Sequence, residues 1–214
     1  MLKSIRYAAS QAHIIPIEPG IECLILRRFN PHTDSWSELT ALLHHAYEDF
    51  AAMDLNCSRA TQSSSTTRRL ALAGDCFVAV CRGRIIGTMT LESPAPESAC
   101  PHYRSSAVAS MHQFCVEPEW QQRGIGTTMV SFAEQWAMAR GYTELALDAP
   151  LEALHLIEFY RRLGFSLVSA MRFPARDYQS AVLGKPLDVA EAEGLKRGAI
   201  GHGEPRIAIA GARS

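Results

Sequence analysis

The spacing of hydrophobic positions along this chain of 214 residues changes repeatedly between the two-residue period of a strand and the 3.6-residue period of a helix. The first helical stretch follows Ser35, which the pattern makes the N-cap of a capping box with Glu38 at the third helical position. Glycines and prolines separate most of the periodic stretches. The pattern predicts strands at 21–29, 76–81, 84–91, 107–116, 144–147, 165–171 and 179–187, and helices at 36–50, 68–73, 127–140 and 151–163.

These elements predict one mixed α/β domain over residues 21–187. Their order is β-α-α-β-β-β-α-β-α-β-β, with no internal repeat. Residues 1–20 carry two basic side chains before the first acid, and we expect a flexible leader rather than a targeting peptide. Residues 188–214 are rich in glycine and alanine and show little periodicity, so we expect a C-terminal tail of low order.

Composition limits the classes of function. With 47% hydrophobic residues, 20% charged residues and a net charge of −1, the chain has no global feature of a nucleic-acid-binding or membrane-surface protein. No apolar stretch approaches the roughly 18 residues of a transmembrane helix. Six cysteines without a C-x-x-C pair fit a reducing compartment, so we expect a cytoplasmic protein. The eight histidines show no metal-site spacing, and we expect no metal ion.

The most informative stretch is the turn from Gln121 to Thr127, with the sequence QQRGIGT. It lies between a predicted strand and a predicted amphipathic helix, so it would present unpaired backbone N–H groups and the positive end of a helix dipole. Such a turn can bind a phosphate or pyrophosphate, or it can simply be a flexible connection. Met129 stands where a dinucleotide fingerprint has its third glycine, and no P-loop sequence occurs.

Two motifs together carry a resemblance to a known family. The sequence VEP at 116–118, followed by Q-x-x-G-x-G at 121–126 and an amphipathic helix, resembles the acyl-CoA-binding signature of the GNAT N-acetyltransferase superfamily. The later sequence FYRRLGF at 159–165 is similar to the second signature of that superfamily, F-Y-x-x-x-G-F. The resemblance extends over 21–187. It implies a mixed, mostly antiparallel sheet that is flanked by helices and splayed between its fourth and fifth strands.

The resemblance implies acetyl-CoA as co-substrate, bound in the gap between the two splayed strands. The turn would hold the pyrophosphate, with Arg123 adding positive charge, and the pantetheine arm would pair with the strand that ends at Val116. Many members have an asparagine ahead of the second motif, and Ala153 replaces it here, so that pantetheine contact is not expected. The implied cofactor-binding residues are Phe114, Cys115, Val116, Gln121, Gln122, Arg123, Gly124, Ile125, Gly126, Thr127 and Tyr160.

Tyr160 and His112 are the candidate catalytic residues. In the family the tyrosine that matches Tyr160 lies near the coenzyme A sulfur, where its hydroxyl can protonate a leaving thiolate; the alternative is a core residue of the helix. Ser110 replaces the glutamate base of histone-type members, whereas His112 matches one of two histidines of the serotonin N-acetyltransferases. An imidazole suits proton removal from an amine, and the alternative is a structural strand histidine. Alternation along the strand predicts that His112 shares a face with Phe114 and Val116.

Glu92 and Glu117 are further candidates for the general base, and Glu117 is expected to be a solvated turn residue. The leading hypothesis is an acetyl-CoA-dependent N-acetyltransferase that acetylates a primary amine of a small molecule or a protein. The alternatives left open are a non-catalytic acyl-CoA-binding regulatory module and a transferase of a larger acyl group. The expected acceptor loops, 51–67, 93–106 and 172–178, mix acidic and basic residues, so no acceptor class is favoured. We expect no nucleic-acid or membrane partner, and the resemblance allows a homodimer.

Overall fold

The computed structural model describes residues 13–15, 24–48, 60–174 and 176–188, and within these ranges the chain forms an eight-stranded sheet flanked by four α-helices. The strands are β1 (His13–Ile15), β2 (Leu24–Arg28), β3 (Asp75–Cys81), β4 (Arg84–Glu92), β5 (Val108–Val116), β6 (Glu144–Pro150), β7 (Ser166–Met171) and β8 (Ser180–Pro186). The helices are α1 (Trp36–Ala46), α2 (Ser64–Ala71), α3 (Ile125–Ala139) and α4 (Leu154–Arg162), with 3₁₀ turns at Pro101–Arg104 and Pro118–Trp120.

The strand order across the sheet is β1-β2-β3-β4-β5-β6-β8-β7. Neighbouring strands run antiparallel except β5 and β6, which are parallel. This parallel pair is short: it ends with Ser110 opposite Ala146, and the strands then separate. The prediction of a mixed, mostly antiparallel sheet, splayed between the fourth and fifth predicted strands, is confirmed.

Apolar side chains fill a layer on each face of the sheet. On one face, which we call the α3 face, buried residues of α3 such as Met129 and Trp136 pack against the strands together with Tyr160 of α4. On the other, the α1 face, Leu39 and Leu43 of α1 pack against β3, β4 and β5. Because successive side chains of a strand alternate between these layers, the layer that a residue joins reports the face on which it lies.

A β-bulge in β5 changes this alternation in mid-strand. Thr90 of β4 pairs with His112 and Thr88 pairs with Cys115, so one β4 residue lies opposite two residues of β5. Gln113 has a left-handed φ of 47°, which is strained for a residue other than glycine. The extra residue returns Val116 to the layer that contains Ala109 and Met111.

The predicted grouping of His112 with Phe114 and Val116 is therefore wrong. Phe114 packs against the core of the α3 face, which contains Val116. His112 precedes the bulge and lies on the α1 face, beside Ser110. Simple alternation failed because it takes no account of the extra residue at Gln113.

Several element boundaries also differ from the predicted ones. Pro150, predicted to open a helix, ends β6 and pairs with Ser180, and α4 begins four residues later. The second helix begins at Ser64 rather than near residue 68, because Ser63 caps it by accepting a hydrogen bond from the Thr66 N–H. A serine- and threonine-rich start resembles a loop in composition, which explains the late prediction.

The N-terminal part of the chain departs from expectation in two places. Ser35 accepts from the Glu38 N–H as a capping box requires, but the Glu38 carboxylate accepts from the Ile85 N–H instead of returning to Ser35. The edge strand β1 lies inside the segment 1–20 predicted as a flexible leader. The rest of that segment, and the predicted tail beyond residue 188, lie outside the described residues.

Candidate active site

A cleft of about 640 Å³ opens where β5 and β6 separate. Its walls are the second half of β5, the turn at 121–127, the end of β6 and one side of α4. The volume falls within the range of small-molecule and cofactor sites. The splay thus produces an internal site between two strands, as the resemblance implied.

The turn at the mouth of the cleft is built to present backbone N–H groups. Gln122 and Gly124 have left-handed φ values of 59° and 77°, and α3 begins immediately afterwards without a side-chain cap. The Gln121 amide donates to the Val116 carbonyl over 3.1 Å, which ties the turn to the end of β5. An uncapped helix N-terminus that follows such a turn has the donors and the dipole that favour a phosphate anion.

Gly126 leaves room in the wall of the cleft. A Cβ atom placed on it would lie 3.4 Å from Cζ of Phe159 and 3.6 Å from Cζ of Phe114. Any larger side chain would meet these two rings or extend into the cleft. The residues present therefore fit a ligand that approaches the turn closely, as the pyrophosphate of an acyl-CoA would.

The cleft brings most of the implied cofactor residues together. Arg123 and Ile125 are not among its lining residues: the Arg123 guanidinium lies over the Trp120 ring at 5.2 Å, and the Ile125 side chain is buried in the core. The implied residues that do line it are Phe114, Cys115, Val116, Gln121, Gln122, Gly124, Gly126, Thr127 and Tyr160.

Tyr160 lines the cleft from α4 and is almost fully buried. Its ring lies among three phenylalanines, with centroids 5.2 Å from Phe159, 5.7 Å from Phe165 and 6.3 Å from Phe114. This packing fixes the ring on the α3 face of the sheet. A tyrosine held so firmly presents its hydroxyl in one place, which a proton donor requires.

His112 also lines the cleft, but from the opposite face of the sheet. Its Nε2 atom lies 2.9 Å from the Ser110 hydroxyl and 3.9 Å from the Glu92 carboxylate. The Tyr103 ring packs perpendicular to the imidazole at 5.4 Å. Three of the residues singled out in the sequence, Ser110, His112 and Glu92, thus form one polar cluster beside the cleft.

The sequence interpretation missed Asp148, a carboxylate that lines the cleft from β6. Its side chain is only 3% exposed and forms a short ion pair with Arg176. The Tyr103 hydroxyl lies 3.4 Å from the other carboxylate oxygen. Burial, and to a smaller extent the charge of Asp148, raise the pKa of Tyr103 well above its usual value. The only sequence signal was an acidic residue just past the predicted strand 144–147.

Tyr47, at the end of α1, was also missed. Its hydroxyl donates to the Phe114 carbonyl over 2.9 Å, which ties α1 to the bulged part of β5. Ala153, at the position where many family members have an asparagine, is fully buried against Tyr178 and does not line the cleft. His155 of α4 does line it.

Glu117 is not the solvated turn residue that was expected. It is 3% exposed, lies 2.5 Å from His45 Nδ1, and accepts from Arg84 over 3.5 Å. Because a carboxylate is buried only where it is paired, Glu117 fastens the end of β5 to α1 and to the β3–β4 turn. It does not line the cleft.

The described residues lack both a metal-binding cluster and a membrane-spanning helix. They contain no group of three or more His, Cys, Asp or Glu side chains that could hold a metal ion. None of their helices is both long and apolar enough to cross a membrane.

Comparisons with known proteins agree with this geometry. The profile of the acetyltransferase (GNAT) family matches residues 36–165. An uncharacterized N-acetyltransferase of Methanocaldococcus jannaschii is 41% identical over 58 residues, which are 27% of this chain and 26% of that protein. The chain thus matches about a quarter of the length of this relative.

Solved structures share the fold at low sequence identity. A Pyrococcus horikoshii protein superposes with a TM-score of 0.61 at 14% identity, over 77% of this chain and 99% of that one. A GCN5-related N-acetyltransferase of Kribbella flavida gives a TM-score of 0.59 at 18% identity, over 77% of this chain and 98% of its own. At these identities the likeness concerns the fold.

Proposed function

Since this chain belongs to the acetyltransferase (GNAT) family, whose profile spans residues 36–165, we propose that it transfers the acetyl group of acetyl-CoA to a primary amine. The observation that carries the proposal is the cleft, where an uncapped helix N-terminus and a buried tyrosine face the same space. The first suits a pyrophosphate and the second suits a leaving thiolate. The acceptor is an amine of a small molecule or a protein.

Acetyl-CoA supplies an activated thioester together with a pyrophosphate to which the protein can bind. The backbone N–H groups at the start of α3 hold the pyrophosphate, and Thr127 can add a hydroxyl donor. Within the described residues β5 has no strand partner on its β6 side beyond Ser110, so its backbone there can pair with amide groups of the ligand. The same backbone can donate to the thioester carbonyl as an oxyanion hole does.

The two candidate catalytic side chains divide the proton transfers. A protonated amine must lose a proton before it attacks, and His112, beside Ser110 and Glu92, accepts that proton directly or through water. A C–N bond forms as the C–S bond breaks. Tyr160 then protonates the sulfur on the other face of the sheet. The nitrogen loses its second proton, which restores the Tyr160 hydroxyl through solvent, and His112 releases the first proton to water, so the products are an amide and a free thiol.

The cysteines support the predicted reducing, cytoplasmic location. Those in the described part of the chain, Cys76, Cys81, Cys100 and Cys115, form no disulfide bond. Burial raises the pKa of Cys76 to about 11, so this thiol stays protonated at neutral pH.

Calorimetric titration with acetyl-CoA, followed by an amine panel read with a thiol-reactive dye, tests the proposal. Binding together with thiol release for at least one amine is the expected result. Binding without release from any amine favours the non-catalytic module, and absence of binding contradicts both. Mass spectrometry of the product reports whether the transferred group is acetyl or a larger acyl group.

A further inference from the structure

His112 and Asp148 lie at corresponding positions on the two strands that diverge at the cleft. The last pair of β5 with β6 joins Ser110 to Ala146, and each of the two residues lies two positions further along its strand. Side chains two apart in a strand point to the same face. His112 and Asp148 therefore both lie on the α1 face, one on each side of the opening.

Tyr103 connects the two sides of this opening. Its ring packs edge-on against the His112 imidazole, and its hydroxyl lies 3.4 Å from Oδ1 of Asp148. The ring is held in turn against Phe173. The cleft is bordered by the His112 imidazole and the Asp148 carboxylate on the side of the sheet away from Tyr160.

The carboxylate of Asp148 is fixed rather than free to turn. Nη1 of Arg176 donates both to Oδ2 of Asp148 and, over 3.0 Å, to the Ser180 hydroxyl. The guanidinium also stacks on the Phe173 ring at 4.4 Å. Arg176 thus supplies the charge that lets a carboxylate remain in a buried position. Asp148 is the one carboxylate among the described residues that line the cleft.

We propose that Asp148 recognises the acceptor: the cationic amine binds between the Asp148 carboxylate and the His112 imidazole, on the α1 face. This assignment rests on the proposed acetyl transfer. A buried carboxylate selects a cation over a neutral group of the same shape, because hydrogen bonds to a charged partner are stronger. Asp148 holds the ammonium form, His112 takes its proton, and the neutral amine is left facing the thioester.

The proposal is tested with matched pairs of amines and alcohols: benzylamine with benzyl alcohol, and phenethylamine with phenethyl alcohol. Their binding to the full chain, saturated with coenzyme A, is measured by ligand-observed NMR. The wild type should bind each amine about tenfold or more tightly than its alcohol, and Asp148→Asn should remove most of that preference. Glu144→Gln is the matched control, since Glu144 lies on the same strand and face, is paired with His102, and does not line the cleft.

Two further variants separate recognition from a structural effect. Asp148→Asn leaves the Arg176 charge unpaired, so the double variant Asp148→Asn/Arg176→Met is measured beside it and should lose the preference to the same extent. Arg176→Lys alone disturbs the same ion pair but keeps both charges, and it should retain the preference. If Asp148→Asn keeps the preference, if Arg176→Lys loses it equally, or if the wild type has none, the proposal is overturned.

Failure of the proposed function gives a different result. The amine preference is a binding measurement and does not depend on turnover. A chain that prefers the amines through Asp148 but releases no thiol with any amine of the panel contradicts acetyl transfer and leaves the assignment of Asp148 intact.

Discussion

His112 and Tyr160 line the same cleft from opposite faces of the sheet. His112 lies on the α1 face beside Ser110, and Tyr160 packs in the core of the α3 face. Both side chains can reach one cleft only because β5 and β6 separate after Ser110 and Ala146. In the proposed reaction, the side chain that removes a proton from the amine and the side chain that protonates the thiolate thus act from opposite faces of the sheet.

Substitution of Tyr160 with phenylalanine should reduce kcat about 10²- to 10⁴-fold, because it removes a proton donor and leaves the packing in place. The affinity for acetyl-CoA, measured by calorimetry, should change by less than a few-fold. Tyr142→Phe is the control, since it removes a hydroxyl that bonds Ser93 and does not line the cleft. Unchanged turnover in Tyr160→Phe would contradict the assigned role.

Substitution of His112 with glutamine should reduce the rate at neutral pH by about 10²- to 10⁴-fold. The difference in rate between His112→Gln and the wild type should become smaller as the pH rises, because a growing share of the acceptor amine is already neutral in solution. His102→Gln is the matched control: both histidine side chains are 21% exposed and lie near a glutamate, but His102 does not line the cleft. A deficit that stays constant with pH would point to a structural role for His112.

Substitution of Gly126 with valine should weaken acetyl-CoA binding about tenfold to a hundredfold, because its methyl groups meet Phe159 and Phe114 or enter the cleft. Gly126→Ala should be milder, since its Cβ lies at 3.4 Å from Phe159. Ser131→Val, at an exposed position of the same helix, controls for the effect of a β-branched residue on α3. Equal affinities for all three variants would place the ligand elsewhere.

Asp34 should make a pH-dependent contribution to stability. Burial opposes its ionisation, but hydrogen bonds from Arg27, at 2.5 and 2.7 Å, and from the Asn30 N–H outweigh this and lower the pKa of Asp34. The folded pKa is then below the unfolded one, so the stabilisation is present above the unfolded value and is lost as the pH falls through the folded value. Asp34→Asn should reduce the free energy of unfolding by about 1–3 kcal/mol at pH 7.

Urea unfolding from pH 7 down to pH 3 measures this contribution. The difference between Asp34→Asn and the wild type should shrink below about pH 4, where an unfolded aspartate binds its proton. Glu119→Gln, at an exposed position, should leave stability unchanged throughout. If the free energies of unfolding of Asp34→Asn and the wild type differ by the same amount at every pH, the charge of Asp34 does not contribute to stability.

The elements that local chemistry determines could be predicted from the sequence. The turn at 121–127 was identified from its glycines and its flanks, and the capping role of Ser35 from its spacing to Glu38. The splay of the sheet followed from the resemblance that these motifs carry. The periods of apolar residues located every strand of the sheet except β1, which is only three residues long.

What could not be predicted depends on contacts between distant parts of the chain. From the sequence alone, Glu117 is interpreted as a turn residue. Its ion pairs depend on His45 of α1 and Arg84 at the β3–β4 turn, which only folding brings close to it. Asp148 has no local signal for its ion pair, because Arg176 follows 28 residues later. The bulge at Gln113 has no signal in the sequence either. A left-handed φ normally occurs at glycine, and this position has a glutamine.

The bulge at Gln113 lets β5 carry one more residue than its neighbour without moving any other side chain to the wrong face. Residues before Gln113 and residues after it follow opposite parities. Removing the extra residue would therefore give a regular strand in which His112 and Cys115 stay on the α1 face and Phe114 and Val116 stay on the α3 face. A homologous strand that is one residue shorter can present the same side chains to the same faces, provided that the missing residue is the one that matches Gln113. An alignment that places this gap elsewhere in the strand would assign the residues between the two positions to the wrong face.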